Sequence, residues 1–325
     1  MFDEFMVGNL RAKHYGIAGK HSGVEICLWT KRSLVGKGTC YKEKFYGVDA
    51  HRCAQMSPAV AWCEQNCLHC WRPMEMFRPP TDFDGEYDTP EKIICDVINE
   101  RKKLLYGFGG NKNTDKKKYD ECLEPSHWAI SLSGEATLYP YLPELIKKIR
   151  ERPSTKTIFL VTNGQEPEML ERLGNEDALP TQLYISLVAP NKPLYIKLAM
   201  PFYKDGWERL MRSFDVWKCL KTRKVIRITH IKGINDSEEC AYQFGNLIEK
   251  AGPDFVEVKS YMRLGYSKYR LASSNMPTMK DVEEFAGKIL GYADGFWHEC
   301  MDATSRIVLL KNSNSKYKTN IFAKL

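Results

Sequence analysis

The sequence predicts an α/β protein whose strands form a partial or full parallel (β/α) barrel. Two observations support this fold class. From about residue 59 onward, short apolar runs alternate with helical patterns, and the runs end in small or polar residues. Repeated β-α units build a parallel sheet with right-handed crossovers, and six or seven such units curl it into a barrel. A flat doubly wound sheet is the alternative, because a single sequence does not reveal the strand order.

The strands and helices follow from local patterns. Short runs rich in Ile, Val and aromatic residues are typical of strands buried on both faces. Cap residues and terminal glycines delimit the helices, and the polar stretch 108–125 is predicted to be a long loop. The predicted strands are 59–63, 128–133, 157–162, 183–188, 225–231, 255–260 and 306–311. The predicted helices run from Pro90 after the cap Thr89 to Gly107, over 205–220, from Ser237 to Gly252, and from Thr278 to Gly291.

Residues 1–58 fit this alternation poorly. They are Gly-rich, basic and cysteine-bearing, and they show little periodic apolar content. We therefore expect an irregular N-terminal extension at 1–58, followed by the barrel domain at 59–325.

Composition points to a cytoplasmic globular protein. Charged residues make up 27% of the chain and apolar residues 43%, and the net charge is +7. No apolar run reaches 18 residues, and the N-terminus lacks the apolar core of a signal peptide. We expect a cytoplasmic monomer that does not bind membranes. Eleven cysteines in such a chain indicate metal binding or catalysis rather than disulfides.

The first cysteine set is Cys63, Cys67 and Cys70, spaced C-x3-C-x2-C. Three thiolates so close in sequence can hold one metal centre, but a closed structural zinc site needs four ligands and a four-iron cluster has four irons to ligate. One position therefore stays open for a small molecule, which is more typical of chemistry than of scaffolding. A zinc site completed by His51, Cys53 or His69 is the alternative.

The second cysteine set is Cys27, Cys40 and Cys53, spaced C-x12-C-x12-C within the extension. The regular spacing predicts a second cluster with its own open iron, and three unrelated buried thiols are the alternative. The other cysteines divide into two groups. Cys95, Cys219 and Cys240 lie in helical stretches as small apolar residues, and Cys122 and Cys300 have no assigned role.

Polar residues follow the predicted strands where chemistry is expected. Ser133, Gly134 and Glu135 end the second strand, Asn163 follows the third, and Ser186 lies near the end of the fourth. Because the carboxyl ends of parallel strands meet on one face of a barrel, these residues are expected to converge with the cysteine loop.

A C-x3-C-x2-C run followed by a strand ending in S-G-E resembles the radical S-adenosylmethionine (SAM) enzymes. The resemblance implies that the first cysteine set binds three irons of a [4Fe–4S] cluster and that SAM chelates the fourth. It implies that Ser133, Gly134 and Glu135 bind the methionine amine, although Ser133 replaces a glycine. Asn163 and Ser186 match positions used for the ribose and the methionine carboxylate, and His69 takes the usually aromatic place before the last cysteine.

The cysteines at 13-residue intervals, the run W-C-x2-N-C-x2-C-W-R-P and the run S-G-E-A-T-L-Y-P together resemble the archaeal 4-demethylwyosine synthases over nearly the whole chain. The resemblance implies a second [4Fe–4S] cluster, a barrel of the radical-SAM type and an external one-electron donor. The implied substrates are pyruvate and the 1-methylguanosine beside the anticodon of phenylalanine tRNA. In that chemistry the adenosyl radical takes hydrogen from the N-methyl group, the methylene radical attacks pyruvate, C1 leaves, and a third ring closes.

Pyruvate needs a handle, and a desolvated lysine can form a Schiff base with it. Lys42, two residues after Cys40, is the first candidate, and Lys259 at the end of the sixth strand is the second. An open iron holding pyruvate directly is an alternative or a complement. Three aromatics could stack the base, Trp71, Tyr139 and Tyr261, but ordinary packing is the favoured interpretation of each. The basic residues expected to hold the tRNA backbone are Lys31, Arg32, Lys37, Lys112, Lys116, Lys117 and Lys118.

Two other functions remain compatible with the sequence. One is a different radical SAM enzyme, either RNA-modifying or an activase, which would keep the first cysteine set and use the extension differently. The other is a zinc-stabilised RNA-binding protein without enzymatic activity.

Overall fold

The computed structural model describes residues 1–323, which form a single ten-stranded sheet with helices packed around it. The strands are β1 (Gly16–Ala18), β2 (Ser22–Glu25), β3 (Cys53–Ser57), β4 (His127–Ile130), β5 (Thr157–Thr162), β6 (Gln182–Leu187), β7 (Arg223–His230), β8 (Phe255–Ser260), β9 (Phe296–Asp302) and β10 (Ile307–Asn312). The helices are α1 (Glu4–Ala12), α2 (Leu28–Leu34), α3 (Tyr41–Tyr46), α4 (Pro90–Gly109), α5 (Lys116–Cys122), α6 (Leu142–Arg150), α7 (Pro167–Asn175), α8 (Lys192–Ala199), α9 (Gly206–Lys218), α10 (Glu238–Ala251) and α11 (Met279–Leu290).

The sheet is a partial barrel. Its strand order is β1-β2-β3-β4-β5-β6-β7-β8-β10-β9, and the pairs from β3 to β8 are parallel. The first two strands and the last two pair antiparallel. The sheet does not close, which selects the partial barrel from the two forms expected.

Most of the predicted elements are present, with three differences. The strand predicted over 59–63 is wrong, because the first parallel strand is β3, and 59–63 begins the loop that follows it. The stretch 108–125 is not a continuous loop, since it contains α5. Residues 1–58 differ from the irregular extension expected, because they form three helices and three strands of the sheet.

The concave face of the sheet, here called the lumen, is filled by α3. Tyr41, Phe45 and Tyr46 of this helix pack against Phe159, Tyr184, Val225 and Phe255 of the central strands and Ile307 and Leu309 of β10. The opposite face packs against the outer helices and forms the main apolar core. The extension therefore supplies side chains that occupy the lumen of the partial barrel.

Among residues 1–323, no helix combines the length and apolarity needed to cross a membrane.

Candidate active site

The first cysteine set lies on a loop that three other segments fix in place. A parallel β-bridge between Trp62 and Arg78 holds the backbone directly before Cys63. The amide of Leu68 donates to the carbonyl of Leu198 at 2.9 Å. The half-buried guanidinium of Arg270 donates to the carbonyls of Leu68 and Cys70. The loop is therefore held as a rigid part of the barrel mouth.

The S-G-E element lies directly against this loop. Ser133 Oγ donates to Val60 O at 2.7 Å, and the amide of Glu135 donates to Trp62 O at 2.7 Å. Gly134 has φ +65°, and a Cβ at this position would lie 1.8 Å from Ala59 O. Only glycine fits such a close approach in the left-handed region. The two motifs that are 63 residues apart or more in the chain thus form one site, as the sequence predicted.

Asn163 connects the two motifs. Its amide donates to Glu135 Oε2 at 2.9 Å, and its side-chain Nδ2 donates to Glu64 Oε2 at 3.0 Å. The same nitrogen lies 3.7 Å from Cys63 Sγ. Burial raises the pKa of both carboxyl groups, and the Glu135 carboxylate raises the pKa of Glu64 further because the two charges repel. A cationic ligand group would relieve this repulsion.

His69 lies in the cysteine loop and Ser186 lies in β6, and their contacts with SAM stay predictions. Burial and the nearby Arg270 lower the pKa of His69 to about 4, so its imidazole is neutral at pH 7. Ser186 pairs with Arg227 in the β6–β7 ladder, on the strand face that lines the lumen.

The donor set fits an iron–sulfur cluster. Burial raises the pKa of the Cys63, Cys67 and Cys70 thiols, and neighbouring cysteines raise it further at Cys63 and Cys67. Three cysteine thiols on one loop are the ligand type that an iron–sulfur cluster takes, and each would bind a different iron.

Three buried polar atoms in or next to the loop lack hydrogen-bond partners within residues 1–323. Trp62 Nε1, Glu64 Oε1 and His69 Nδ1 are buried and have no hydrogen-bond partner among the described residues. Buried polar atoms are normally paired, so these three mark a place where a polar ligand fits.

The second cysteine set is brought together by three different elements. Cys27 precedes α2, Cys40 precedes α3, and Cys53 begins β3. Burial raises the pKa of Cys40 to about 11 and that of Cys53 to about 12, and in both cases the Cys27 thiol raises it further. The three thiols are therefore close enough to interact, as a shared centre requires.

Lys42 lies in the lumen beside the second cysteine set. Its Nζ stands 4.4 Å from the ring centroid of Phe159 and 4.8 Å from that of Tyr184. Burial lowers the pKa of this lysine, and the positive charge of Arg227 lowers it further. A lysine so placed is desolvated and surrounded by aromatic rings.

An ion pair between Arg227 and Glu257 lies in the lumen near Lys42, and the sequence analysis did not predict it. Glu257 is fully buried and accepts hydrogen bonds from the hydroxyls of Tyr46 (2.7 Å), Tyr41 (3.0 Å) and Tyr184 (3.2 Å). Arg227 donates to it through Nε at 2.9 Å and Nη2 at 2.7 Å. The available signal was an arginine inside the apolar run V-I-R-I-T-H and a glutamate inside the run F-V-E-V-K-S.

Lys259 lines the same lumen from β8. Its Nζ donates to Ser305 O at 2.6 Å and lies 5.7 Å from the ring centroid of Tyr41. Burial lowers its pKa to about 8, and the charge of Arg227 lowers it further. Both lysines named from the sequence therefore lie in the lumen.

The two predicted basic clusters meet on one surface. The amide of Asp115 at the start of α5 donates to Leu34 O of α2 at 2.9 Å, and Lys118 Nζ donates to Ser33 O at 3.4 Å. Lys37, Lys112, Lys116 and Lys117 are exposed, and Lys31, Arg32 and Lys118 are half-buried.

For two of the three aromatics considered for stacking the base, ordinary packing is confirmed. Tyr139 and Tyr261 are buried in the core, where a base has no access. Trp71 is 45% exposed and remains a candidate. Cys122 is buried beside Leu34 and Leu105, and Cys300 packs beside the lumen cluster, both as apolar packing.

Two family comparisons agree with this geometry. Residues 58–244 match the Radical SAM superfamily, and residues 250–312 match a family described as Wyosine base formation. The fold and the cysteine loop thus define a radical SAM protein, and this class implies a [4Fe–4S] cluster and SAM. The resemblance seen in the sequence is confirmed.

Individual relatives narrow the family. The chain is 47% identical over 306 residues to a SAM-dependent tRNA 4-demethylwyosine synthase of Pyrococcus abyssi, with 94% of this chain and 88% of the relative covered. It is 37% identical over 325 residues to the synthase of Methanocaldococcus jannaschii, with 97% and 98% covered. The chain belongs to the tRNA 4-demethylwyosine synthase family.

Solved structures agree. A structure of TYW1 with a bound lysine–pyruvate adduct superposes with a TM-score of 0.86 and 35% identity, covering 98% of this chain and 99% of that one. A crystal structure of archaeal TYW1 gives a TM-score of 0.79 and 32% identity, covering 98% and 100%.

Proposed function

We propose that this protein condenses two carbons of pyruvate with the 1-methylguanosine next to the anticodon of phenylalanine tRNA, forming the tricyclic base 4-demethylwyosine. The family supports a tRNA substrate, since the relatives are named tRNA 4-demethylwyosine synthases. The observation that carries the rest is the position of Lys42 in the lumen, beside the second cysteine set and among aromatic rings.

Lys42 is the proposed handle for pyruvate. The amine adds to the C2 carbonyl, the carbonyl oxygen leaves as water, and a C=N bond to Nζ remains. Aromatic rings desolvate the amine and exclude competing water, as this chemistry needs. A lysine–pyruvate adduct in a structural relative of 35% identity supports the same chemistry here.

Two clusters are proposed, one for each cysteine set. Cys63, Cys67 and Cys70 would hold the cluster that binds SAM, with Ser133, Gly134, Glu135, Asn163, Ser186 and His69 around the SAM. Cys27, Cys40 and Cys53 of the extension, residues 1–58, would hold the second. With SAM bound and one electron from an external donor, the first centre supplies a 5′-deoxyadenosyl radical for hydrogen abstraction.

The basic surface of α2 and α5 is the proposed contact for the tRNA backbone. Its exposed lysines match the negative charge of phosphates. Because the target base is stacked beside the anticodon, it must leave its stack to enter the site.

The test is the complete reaction. Anaerobically reconstituted protein is incubated with SAM, a one-electron reductant, tRNA carrying 1-methylguanosine, and pyruvate labelled with ¹³C at C2 and C3. Mass spectrometry of the digested tRNA is expected to show 4-demethylwyosine with both labelled carbons. Unchanged 1-methylguanosine in the presence of SAM cleavage would overturn the proposal and favour a different radical SAM reaction.

A further inference from the structure

Among the described residues, three cationic side chains and one carboxylate line the lumen beside the second cysteine set. Lys42, Arg227 and Lys259 line it, and Glu257 is the acidic side chain among them. A carboxylate offers about four acceptor sites. Glu257 has two hydroxyls on Oε1, and a hydroxyl and the guanidinium on Oε2. It is therefore saturated and has no acceptor left for either lysine.

Lys259 has donors to spare. An ammonium group carries three N–H donors, and the hydrogen bond to Ser305 O uses one of them. The other nearby acid, Asp302, is paired with Lys44 of α3. Lys259 thus presents a partly desolvated ammonium with N–H donors left for a ligand.

Arg227 has one free nitrogen as well. Its Nε and Nη2 are engaged with Glu257 and the Tyr41 hydroxyl, whereas Nη1 makes no hydrogen bond to a described residue. The guanidinium lies 4.7 Å from the ring centroid of Tyr184, the same ring that Lys42 approaches at 4.8 Å. β7, which carries Arg227, lies between β6 and β8, so this residue stands between the contacts of Lys42 and those of Lys259.

We propose that Lys259 and Arg227 Nη1 bind the carboxylate of the 2-oxo acid whose carbonyl condenses with Lys42. This inference rests on the proposed function and assigns the second lysine a binding role instead of the covalent one. Glu257 is then a positioning residue, because it holds the Arg227 guanidinium through two nitrogens and leaves the third directed to the ligand. The site takes a short 2-oxo carboxylate, and the charge on its carboxylate is what the two cations recognise.

The experiment removes the charge from either partner. Pyruvate and methyl pyruvate carry the same ketone, but only pyruvate has a carboxylate. Reconstituted protein without tRNA is incubated with each compound and borohydride, and the reduced adduct at Lys42 is quantified against ligand concentration. Wild-type protein is expected to prefer pyruvate by about tenfold or more, since hydrogen bonds to a charged group are worth at least this factor.

Lys259→Met is expected to lose most of that preference, because adduct formation with pyruvate weakens and adduct formation with methyl pyruvate stays nearly unchanged. Lys259→Arg, which keeps a cation, is expected to retain it. Lys44→Met is the matched control, because Lys44 lies on α3 with a half-exposed side chain paired to Asp302. Iron content and SAM cleavage without pyruvate report whether each variant has folded.

The outcomes separate the two claims. If wild-type protein forms no adduct at Lys42 with either compound, the covalent handle of the proposed function fails whatever Lys259 does. The other outcome requires that wild-type protein forms the adduct. If Lys259→Met then keeps the wild-type preference, or weakens adduct formation equally with both compounds, the carboxylate site is refuted while the proposed function stands.

Discussion

Removing Arg227 tests the buried ion pair most sharply. In Arg227→Met, Glu257 stays fully buried but loses its cation, and the side chain that replaces the guanidinium cannot donate. Breaking one partner of a buried pair costs about 3–5 kcal/mol, because the remaining charge is uncompensated. With an unfolding entropy of about 2.1 cal/mol/K per residue, this loss lowers Tm by about 4–7 °C.

The assay is calorimetry of reconstituted variants with equal iron content. The double variant Arg227→Met/Glu257→Gln removes both charges, and the amide oxygen still accepts from a tyrosine hydroxyl. We expect it to recover more than half of the loss of the single variant. If Arg227→Met changes the free energy of unfolding by less than about 1 kcal/mol, or if the two substitutions are additive, the pair is not coupled as the structure indicates.

Four further predictions concern the site. Cys63→Ala is expected to abolish SAM cleavage, whereas Cys53→Ala is expected to spare part of it, stop base formation and lower the iron content from about eight to about four per chain; equal losses of cleavage would contradict this. Gly134→Ala should weaken SAM binding and lower Tm, because its φ of +65° alone costs about 1–2 kcal/mol and the Cβ meets Ala59 O; wild-type binding by dialysis would refute it. Lys117→Ala should weaken tRNA binding and reduce its salt slope by about one, and an unchanged slope would remove this lysine from the interface. Lactate has the carboxylate but no ketone, and its inhibition constant should increase when the pH is raised past about 8. The reason is that the pKa of Lys259 is lowered to about 8, so its charge is lost as pH rises. Lys259→Arg should abolish this increase.

Local patterns were sufficient for the barrel strands and their helices. The strands 157–162 and 255–260 have the predicted bounds. The N-caps of three helices are Thr89, Ser237 and Thr278, and each side chain accepts a hydrogen bond from the amide three residues later. These signals depend only on residues that are close together in the chain, so a single sequence is enough to recognise them.

The lumen could not be predicted in the same way. Tyr41 and Tyr46 reach Glu257 over separations of 216 and 211 residues, and no local pattern encodes such pairs. β3 was missed because its lumen-facing side carries Cys53 and Gln55 rather than apolar residues, which obscures a buried strand. One of these two polar positions, Cys53, belongs to the proposed second centre.

The central claim is that pyruvate is held covalently by Lys42 between the two cysteine sets. Its most direct test is borohydride reduction of reconstituted protein with ¹³C-pyruvate, followed by proteolysis and peptide mass spectrometry. The label is expected on the peptide that contains Lys42 and to be absent from Lys42→Arg protein. Label on the Lys259 peptide instead, or none on any peptide while tRNA is still converted, would contradict the account.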